Sequence, residues 1–336
     1  MNKVVCFGEI LMRFTPSING DWLENNTISV FPGGAEANVA SALARWEIPV
    51  SYVTAAPVNF LADQLLDFLN RQKIETSSVH RSGNRIGTYY LPSGADLKNS
   101  EVIYDREYSS FWDLKPGMID WEKVFADADW FHFSAICPAL NQNVANVCLE
   151  GLKVARSKNI TISVDLNYRA KLWKYGKEPL EVMPELVRYC DLIMGNIWAA
   201  NRMLDAPLSQ NLEMEERATY VKQTEETAGY IIRNFPQCKI VANTFRFGNE
   251  EQLSYYAELY DGQRTFGSVE YSTDSIVDKV GSGDCFMAGL IYGYKNNLQP
   301  QGIIDFATAA AFQKLFVKGD ATDKSVDEIK SFIKNL

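Results

Sequence analysis

Between residues 277 and 290 the chain reads Val277-Asp278-Lys279-Val280-Gly281-Ser282-Gly283-Asp284-Cys285-Phe286-Met287-Ala288-Gly289-Leu290. A β-branched run collapses into a Gly-x-Gly turn, and an Asp stands at the mouth of a helical pattern. Small residues let the backbone N–H groups of residues 281–283 converge on an anion, where the helix dipole also favours negative charge. A carboxylate beside such a nest is a poor phosphate ligand, because like charges repel. It fits a general base that takes a proton from a hydroxyl attacking a phosphoryl group. Asp284 is therefore the candidate catalytic residue, and Gly281, Ser282 and Gly283 the candidate anion hole.

Two further clusters carry polar chemistry. Pro32-Gly33-Gly34-Ala35-Glu36-Ala37-Asn38 is a Gly-Gly turn opening a helix. Its glycines permit close backbone approach to a ligand, and Asn38 can bond a hydroxyl. Asp165-Leu166-Asn167-Tyr168-Arg169 follows a strand pattern directly, and Arg169 can pair with a carboxylate or phosphate. Arg106, in Tyr104-Asp105-Arg106, faces the same choice between a ligand and a surface ion pair. Two arginines with Tyr89 and Tyr104 suit a substrate bearing a carboxylate and several hydroxyls. Neither a G-x-G-x-x-G dinucleotide fingerprint after the first strand nor a G-x-x-x-x-G-K-[ST] loop is present.

The elements that must position these groups alternate. Strand patterns at Val4–Ile10, Pro49–Ala55, Trp130–Ser134, Ile160–Asp165, Leu192–Gly195 and Lys239–Asn243 are separated by helical patterns such as Glu36–Trp46, Leu61–Gln72 and Val144–Ser157. That rhythm predicts a mostly parallel sheet covered on both faces, with ligands beyond the carboxyl ends of the strands. Thr27–Phe31, Arg85–Leu91 and Glu101–Tyr108 break the rhythm, with Pro92-Ser93-Gly94 as a turn, and predict a small antiparallel sheet acting as a lid. Its strands come from about 12–32 and 84–110 of one domain spanning 1–336. The acid-rich stretch 208–228 predicts a solvated helical insertion.

Composition narrows the function. A formal charge of −9 over 336 residues argues against nucleic acid as a partner. The cysteines Cys6, Cys137, Cys148, Cys190, Cys238 and Cys285 form no C-x-x-C pair and predict reduced core thiols. With only His80 and His132, zinc chemistry and Ser-His-Asp catalysis lack their residues. No window has membrane-spanning length without charges, and the start lacks a signal-peptide pattern, so a cytoplasmic protein without membrane contact is expected.

The two glycine motifs, in this order and separation, resemble the signatures of ribokinase-like (PfkB-type) carbohydrate kinases along nearly the whole chain. The resemblance implies a ribokinase-like three-layer α/β/α fold, with the mostly parallel sheet and small antiparallel β lid. It assigns Asp284 as the base and the Gly281–Gly283 amides as the hole for the transferring phosphoryl group. ATP would lie near Asn196 and Thr244, with adenine against Thr308–Phe312, and Mg²⁺ would accompany the nucleotide without a protein-built metal cage.

Within the family, Gly-Gly-Ala-Glu-x-Asn and Asp165-x-Asn167-Tyr168-Arg169 are similar to 2-keto-3-deoxygluconate kinases. That subgroup implies Gly33, Gly34, Asn38, Tyr89, Tyr104, Arg106, Arg169 and Asp320 as substrate-side residues, and phosphorylation of the terminal hydroxyl. The runner-up readings are a neutral-sugar kinase of fructokinase or ribokinase type, and a sugar-acid sensor that lost catalysis. A neutral sugar would leave both arginines to protein ion pairs. Two departures stand out: Ser282 replaces the usual Ala of Gly-Ala-Gly-Asp, and Ala199 stands where Asn196-x-x-Glu is expected. In the nucleotide strand, Asn243-Thr244-Phe245-Arg246 replaces the usual Thr-Leu-Gly pattern. The exposed lid sheet predicts a homodimer formed through it.

Overall fold

The computed structural model describes residues 2–16, 22–23, 26–92, 102–209, 212, 216–248 and 252–335. In chain order the first half runs β1 (Lys3–Phe7), β2 (Leu11–Pro16), β3 (Ile28–Gly33), α1 (Ala35–Arg45), β4 (Val50–Val53), β5 (Ala55–Ala56), α2 (Phe60–Arg71), β6 (Ile74–Glu75), β7 (His80–Arg81), β8 (Gly87–Tyr90), β9 (Ile103–Asp105), α3 (Trp121–Val124), β10 (Ala128–Ser134) and α4 (Gln142–Ser157). It continues with β11 (Thr161–Asp165), α5 (Pro179–Val187), β12 (Leu192–Gly195), α6 (Ile197–Leu204), α7 (Arg217–Asn234), β13 (Ile240–Gly248), β14 (Leu253–Tyr260), β15 (Thr265–Gly267), β16 (Tyr271–Thr273), α8 (Ser282–Lys295), α9 (Pro300–Lys314) and α10 (Val326–Lys334).

The large sheet has the order β15-β14-β13-β12-β11-β10-β1-β4-β6, with β16 beside β14. Every pairing from β13 across to β6 is parallel, so the strand ends that open towards ligand lie on one edge. Strands buried on both faces need continuous apolar sequence, and β12 (Leu-Ile-Met-Gly) and β4 (Val-Ser-Tyr-Val) are buried throughout. One core, containing Leu43, Tyr52, Phe286 and Phe306, fills the face covered by α1, α8 and α9. A second, containing Phe131, Phe133, Leu152 and Met183, fills the face covered by α4 and α5. This is the three-layer ribokinase-like arrangement. No helix among the described residues is long and apolar enough to cross a membrane.

The small sheet has the order β3-β2-β8-β9. Its outer pairings are antiparallel, while β2 and β8 run parallel with Arg13 opposite Tyr89. The pleat sorts its faces. Val30, Phe14, Tyr90 and Ile103 form one row across the sheet, and Phe31, Arg13, Tyr89 and Tyr104 the neighbouring row on the other side.

Several boundaries differ from those expected. β1 stops at Phe7, because Gly8-Glu9-Ile10 leaves the ladder to carry Glu9 into the interior. The strand expected over Glu101–Tyr108 is only Ile103–Asp105, since Tyr108 adopts φ 58° and Ser109 N–H donates back to the Arg106 carbonyl. β13 extends to Gly248 and pairs antiparallel with β14, so the alternation of strand and helix ends there. The acid-rich stretch is not wholly solvated: α7 buries Tyr220, Thr224, Ala228 and Ile231 and exposes Glu225 and Glu226, while Glu213 and Glu215 lie outside the described residues. The turn at Ser93-Gly94 also lies outside them. All six cysteines are buried free thiols. His132 is buried against the Ser163 hydroxyl at 3.0 Å, and burial pushes its pKa down to about 3, so it is a neutral core residue.

Candidate active site

Gly281 sits at φ 79°, ψ −1°, a left-handed conformation that turns the chain into α8. A Cβ there would come within 1.8 Å of the Asp320 carbonyl oxygen, so glycine is required. At Gly283 an added Cβ would meet nothing within 4 Å. Packing within the protein therefore does not demand a glycine at 283, a residue that lines the cavity described below. Ser282 donates its hydroxyl to the Lys279 carbonyl at 3.2 Å, which lets it replace a small apolar residue without crowding the turn.

Gly281→Ala and Gly283→Ala separate fold from chemistry. The first should lower the melting temperature and abolish activity together. The second, which adds a better helix former worth up to about 1 kcal/mol, should hold or raise the melting temperature while lowering turnover. Thermal melts beside an activity assay check the pair.

Asp284 occupies the first turn of α8 and is buried at the floor of the cleft. Its Oδ2 accepts a hydrogen bond from Asn38 Nδ2 at 2.7 Å. Burial raises its pKa to about 8; the Asn38 bond and the positive field of Arg169 act the other way, while Asp165 and Glu36 add to the rise. A carboxylate of this kind takes a proton readily near neutrality. Asn38, expected to bond a substrate hydroxyl, thus commits its amide to orienting the carboxylate.

Around Asp284 opens a cavity of about 760 Å³. It is lined by Gly34, Asn38, Tyr89, Tyr104, Arg106, Arg169, Asn196, Thr244, Asp320 and residues 281–284. Gly33 is not among the lining residues. It is glycine because a Cβ would lie 2.6 Å from Asp320 Oδ2 and 3.3 Å from the Tyr89 hydroxyl. Gly34 caps α1 at φ 129°, and a Cβ there would lie 2.4 Å from the Glu9 carbonyl oxygen.

The two arginines have different surroundings. Arg106 is buried, and its Nε meets Glu9 Oε2 at 2.6 Å; Ser109 Oγ donates to the other Glu9 oxygen at 2.5 Å. Arg169 is half-buried, donates to the Tyr168 carbonyl at 3.5 Å and forms no ion pair among the described residues. Asp320 accepts from the Tyr89 hydroxyl and lies 3.0 Å from Arg13 Nε. Burial raises its pKa to about 6, against the opposing pull of Arg13. Arg13 also grips Asp278 through both Nη atoms, at 3.2 and 2.6 Å. Asn196 accepts from Ala199 N–H at 2.8 Å, so the residue expected beside nucleotide is also the N-cap of α6. Thr308–Phe312, the segment expected beside adenine, lies buried within α9 and is not among the residues that line this cavity.

Sequence reasoning gave no role to Glu9, Arg13, Glu36, Arg202, Arg246 or Lys314. Glu36 stood in the quoted motif, and its carboxylate accepts the Ser134 N–H at 2.8 Å, fastening α1 to β10 behind Asp284. Arg202 and Arg246 also line the cavity. No local pattern marks them as different from other surface arginines.

The family model for pfkB family carbohydrate kinases matches residues 1–233 and 252–327. The chain belongs to that family. This pfkB kinase is 34% identical to the Thermotoga maritima 2-dehydro-3-deoxygluconokinase crystal structure, with a TM-score of 0.90 over 99% of this chain and 98% of that one. It is 25% identical over 333 residues to the 2-dehydro-3-deoxygalactonokinase of Haloferax volcanii, covering 99% of this chain and 96% of the relative. A fructokinase with bound ATP from Xylella fastidiosa shares the fold at 19% identity, with a TM-score of 0.78 over 100% and 99% of the two chains. The pfkB kinase is thus a phosphotransferase acting on carbohydrate, built on the ribokinase-like fold.

Proposed function

We propose that this pfkB kinase transfers the terminal phosphoryl group of ATP to the terminal hydroxyl of 2-keto-3-deoxygluconate. The observation that carries the reading is the pairing of Asp284, buried at the cavity floor, with Arg169, a cation in the same cavity that forms no salt bridge among the described residues. A neutral sugar gives Arg169 nothing to answer, whereas a sugar acid offers a carboxylate for bidentate pairing. Arg106 does form the protein ion pair, with Glu9, that the neutral-sugar reading expects of it, so Arg169 alone separates the two readings. The likeness to a 2-dehydro-3-deoxygluconokinase at 34% identity over nearly both full chains supports the same substrate class.

In the transfer, Arg169 and Arg106 anchor the carboxylate end, and Tyr89, Tyr104 and Asp320 meet the middle of the sugar acid. That leaves the terminal hydroxyl at Asp284. Its oxygen attacks the γ-phosphorus, its O–H bond breaks towards Asp284, and the bond from phosphorus to the bridging oxygen breaks with its electron pair on ADP. The 281–283 amides face the charge that develops on the transferring group. Asn196 and Thr244 lie at the nucleotide end. Among the described residues no group of three or more His, Cys, Asp or Glu is arranged to hold a metal ion. Glu9 and Glu36 are engaged by protein donors, and α6 presents Ala199 to the cavity. This set fits Mg²⁺ carried on nucleotide oxygens with its own waters, where it would neutralise phosphate charge.

A coupled assay of ADP release over keto-deoxy sugar acids and neutral hexoses tests the reading. Preference for the sugar acids is expected, and preference for fructose or ribose would overturn the substrate assignment. A sensor without catalysis gains no support from a raised, oriented Asp284.

The outer row Val30, Phe14, Tyr90 and Ile103 supplies the surface for the homodimer, with Val30 50% and Ile103 62% exposed. Val30→Asp with Ile103→Asp should shift the protein to monomer by sedimentation analysis; an unchanged dimer, or a wild-type monomer, would remove this interface.

A further inference from the structure

Lys314 ends α9 with no exposed surface, and lysine is almost never fully buried without a partner. Its Nζ donates to the Val317 carbonyl at 3.0 Å, and it forms no direct ion pair among the described residues. It does not line the cavity. The turn it braces, residues 315–320, is the back wall of the anion cradle. Val277 and Asp278 N–H both donate to the Leu315 carbonyl, at 2.8 and 3.1 Å, and Gly319 N–H donates to Asp278 Oδ2 at 3.1 Å. A Cβ on Gly281 would meet the Asp320 carbonyl oxygen at 1.8 Å and Lys314 Cε at 3.5 Å.

The charges behind the cradle are Asp278, Asp320, Arg13 and Lys314. Burial lowers the Lys314 pKa, and Arg13 acts the same way, while Asp278, Cys285 and Asp320 favour the ammonium. With Lys314 charged, two carboxylates face two cations. Without it, the buried group carries excess negative charge directly behind a loop that must receive a phosphoryl group.

The geometry points to Lys314 as the resident countercharge of the cradle, a buried ammonium that lets residues 281–283 accept a terminal phosphoryl group without a small cation from solution. The inference rests on the kinase reading above and deepens it. Lys314 is a positioning residue, since it touches neither sugar nor nucleotide.

Two measurements test it. Wild-type enzyme assayed with choline as the sole monovalent cation should keep full turnover; a requirement for potassium or ammonium ions would overturn the proposal. Lys314→Ala should lower turnover about 10- to 100-fold, as loss of one preorganised electrostatic group does. By calorimetry it should weaken binding of the β,γ-imido analogue of ATP while leaving ADP and the sugar acid bound as before. Methylammonium should restore turnover where choline does not. A folded variant that loses ADP and sugar binding equally, or stays inactive in methylammonium, would make Lys314 a turn brace only and overturn the proposal. If the variant does not fold, the choline experiment decides alone. A wild-type protein inactive on every sugar would remove the kinase reading instead, and the comparison of the ATP analogue with ADP would still report on Lys314.

Discussion

Replacing Asp284 with Asn should lower turnover by about 10²–10⁴, the usual worth of a positioned general base, with little change in sugar binding. The pH dependence should carry the same signature. Because burial raises the Asp284 pKa to about 8, the group is mostly protonated below that pH in the free protein. Wild-type kcat/KM should therefore rise with pH and level off above about 8, a limb that the variant lacks.

The stability sign is opposite. A carboxyl whose folded pKa lies above its unfolded value of 3.8 stabilises the fold at low pH, and that contribution is lost as pH rises through about 8. Asp284→Asn removes the charge that burial disfavours. Its melting temperature should thus match or exceed that of the wild type at pH 8 and above. Circular dichroism melts at pH 6 and pH 9 check this; a variant less stable at pH 9 and fully active would remove Asp284 from both roles.

Arg169→Met is the second large effect. Truncating one partner of a charge-assisted pair in a partly buried site costs about 2–5 kcal/mol, so kcat/KM for a sugar acid should fall about 30- to 5,000-fold. Activity on neutral hexoses, however weak, should fall far less, by no more than the shift of the Asp284 limb, and the preference for acids should collapse. The positive field of Arg169 also holds the Asp284 pKa down, so its removal should move the rising limb of the pH profile to higher pH. Steady-state kinetics on both substrate classes reads these effects together. Equal losses on acid and neutral sugars would show that Arg169 does not recognise a carboxylate.

Much of the framework was legible because local chemistry specified it. Leu192–Gly195 is a strand at the expected bounds, and α1 and α2 begin within one residue of their expected starts. The cradle could be read because only glycine tolerates the backbone at 281, and that demand is written in one short stretch. What could not be read depends on contacts between distant segments. Arg13 and Asp278 are 265 positions apart, and Glu9 and Arg106 are 97 apart, so no window contains both members. The β13–β14 hairpin was missed because the strand–helix rhythm was extended past the point where the sheet turns antiparallel. Asn38 was assigned to a sugar hydroxyl because a polar residue one turn into a helix says nothing of the carboxylate 246 positions later that claims it.

Phosphorus–proton correlation NMR of the product formed from ATP and 2-keto-3-deoxygluconate tests most directly whether the cradle and Asp284 act on the hydroxyl farthest from the carboxylate. The expected spectrum couples the new phosphorus to the two protons of the terminal methylene. Coupling to a ring or chain methine, or no phosphorylated sugar with enzyme that binds both substrates, would contradict the placement of Asp284 as the base.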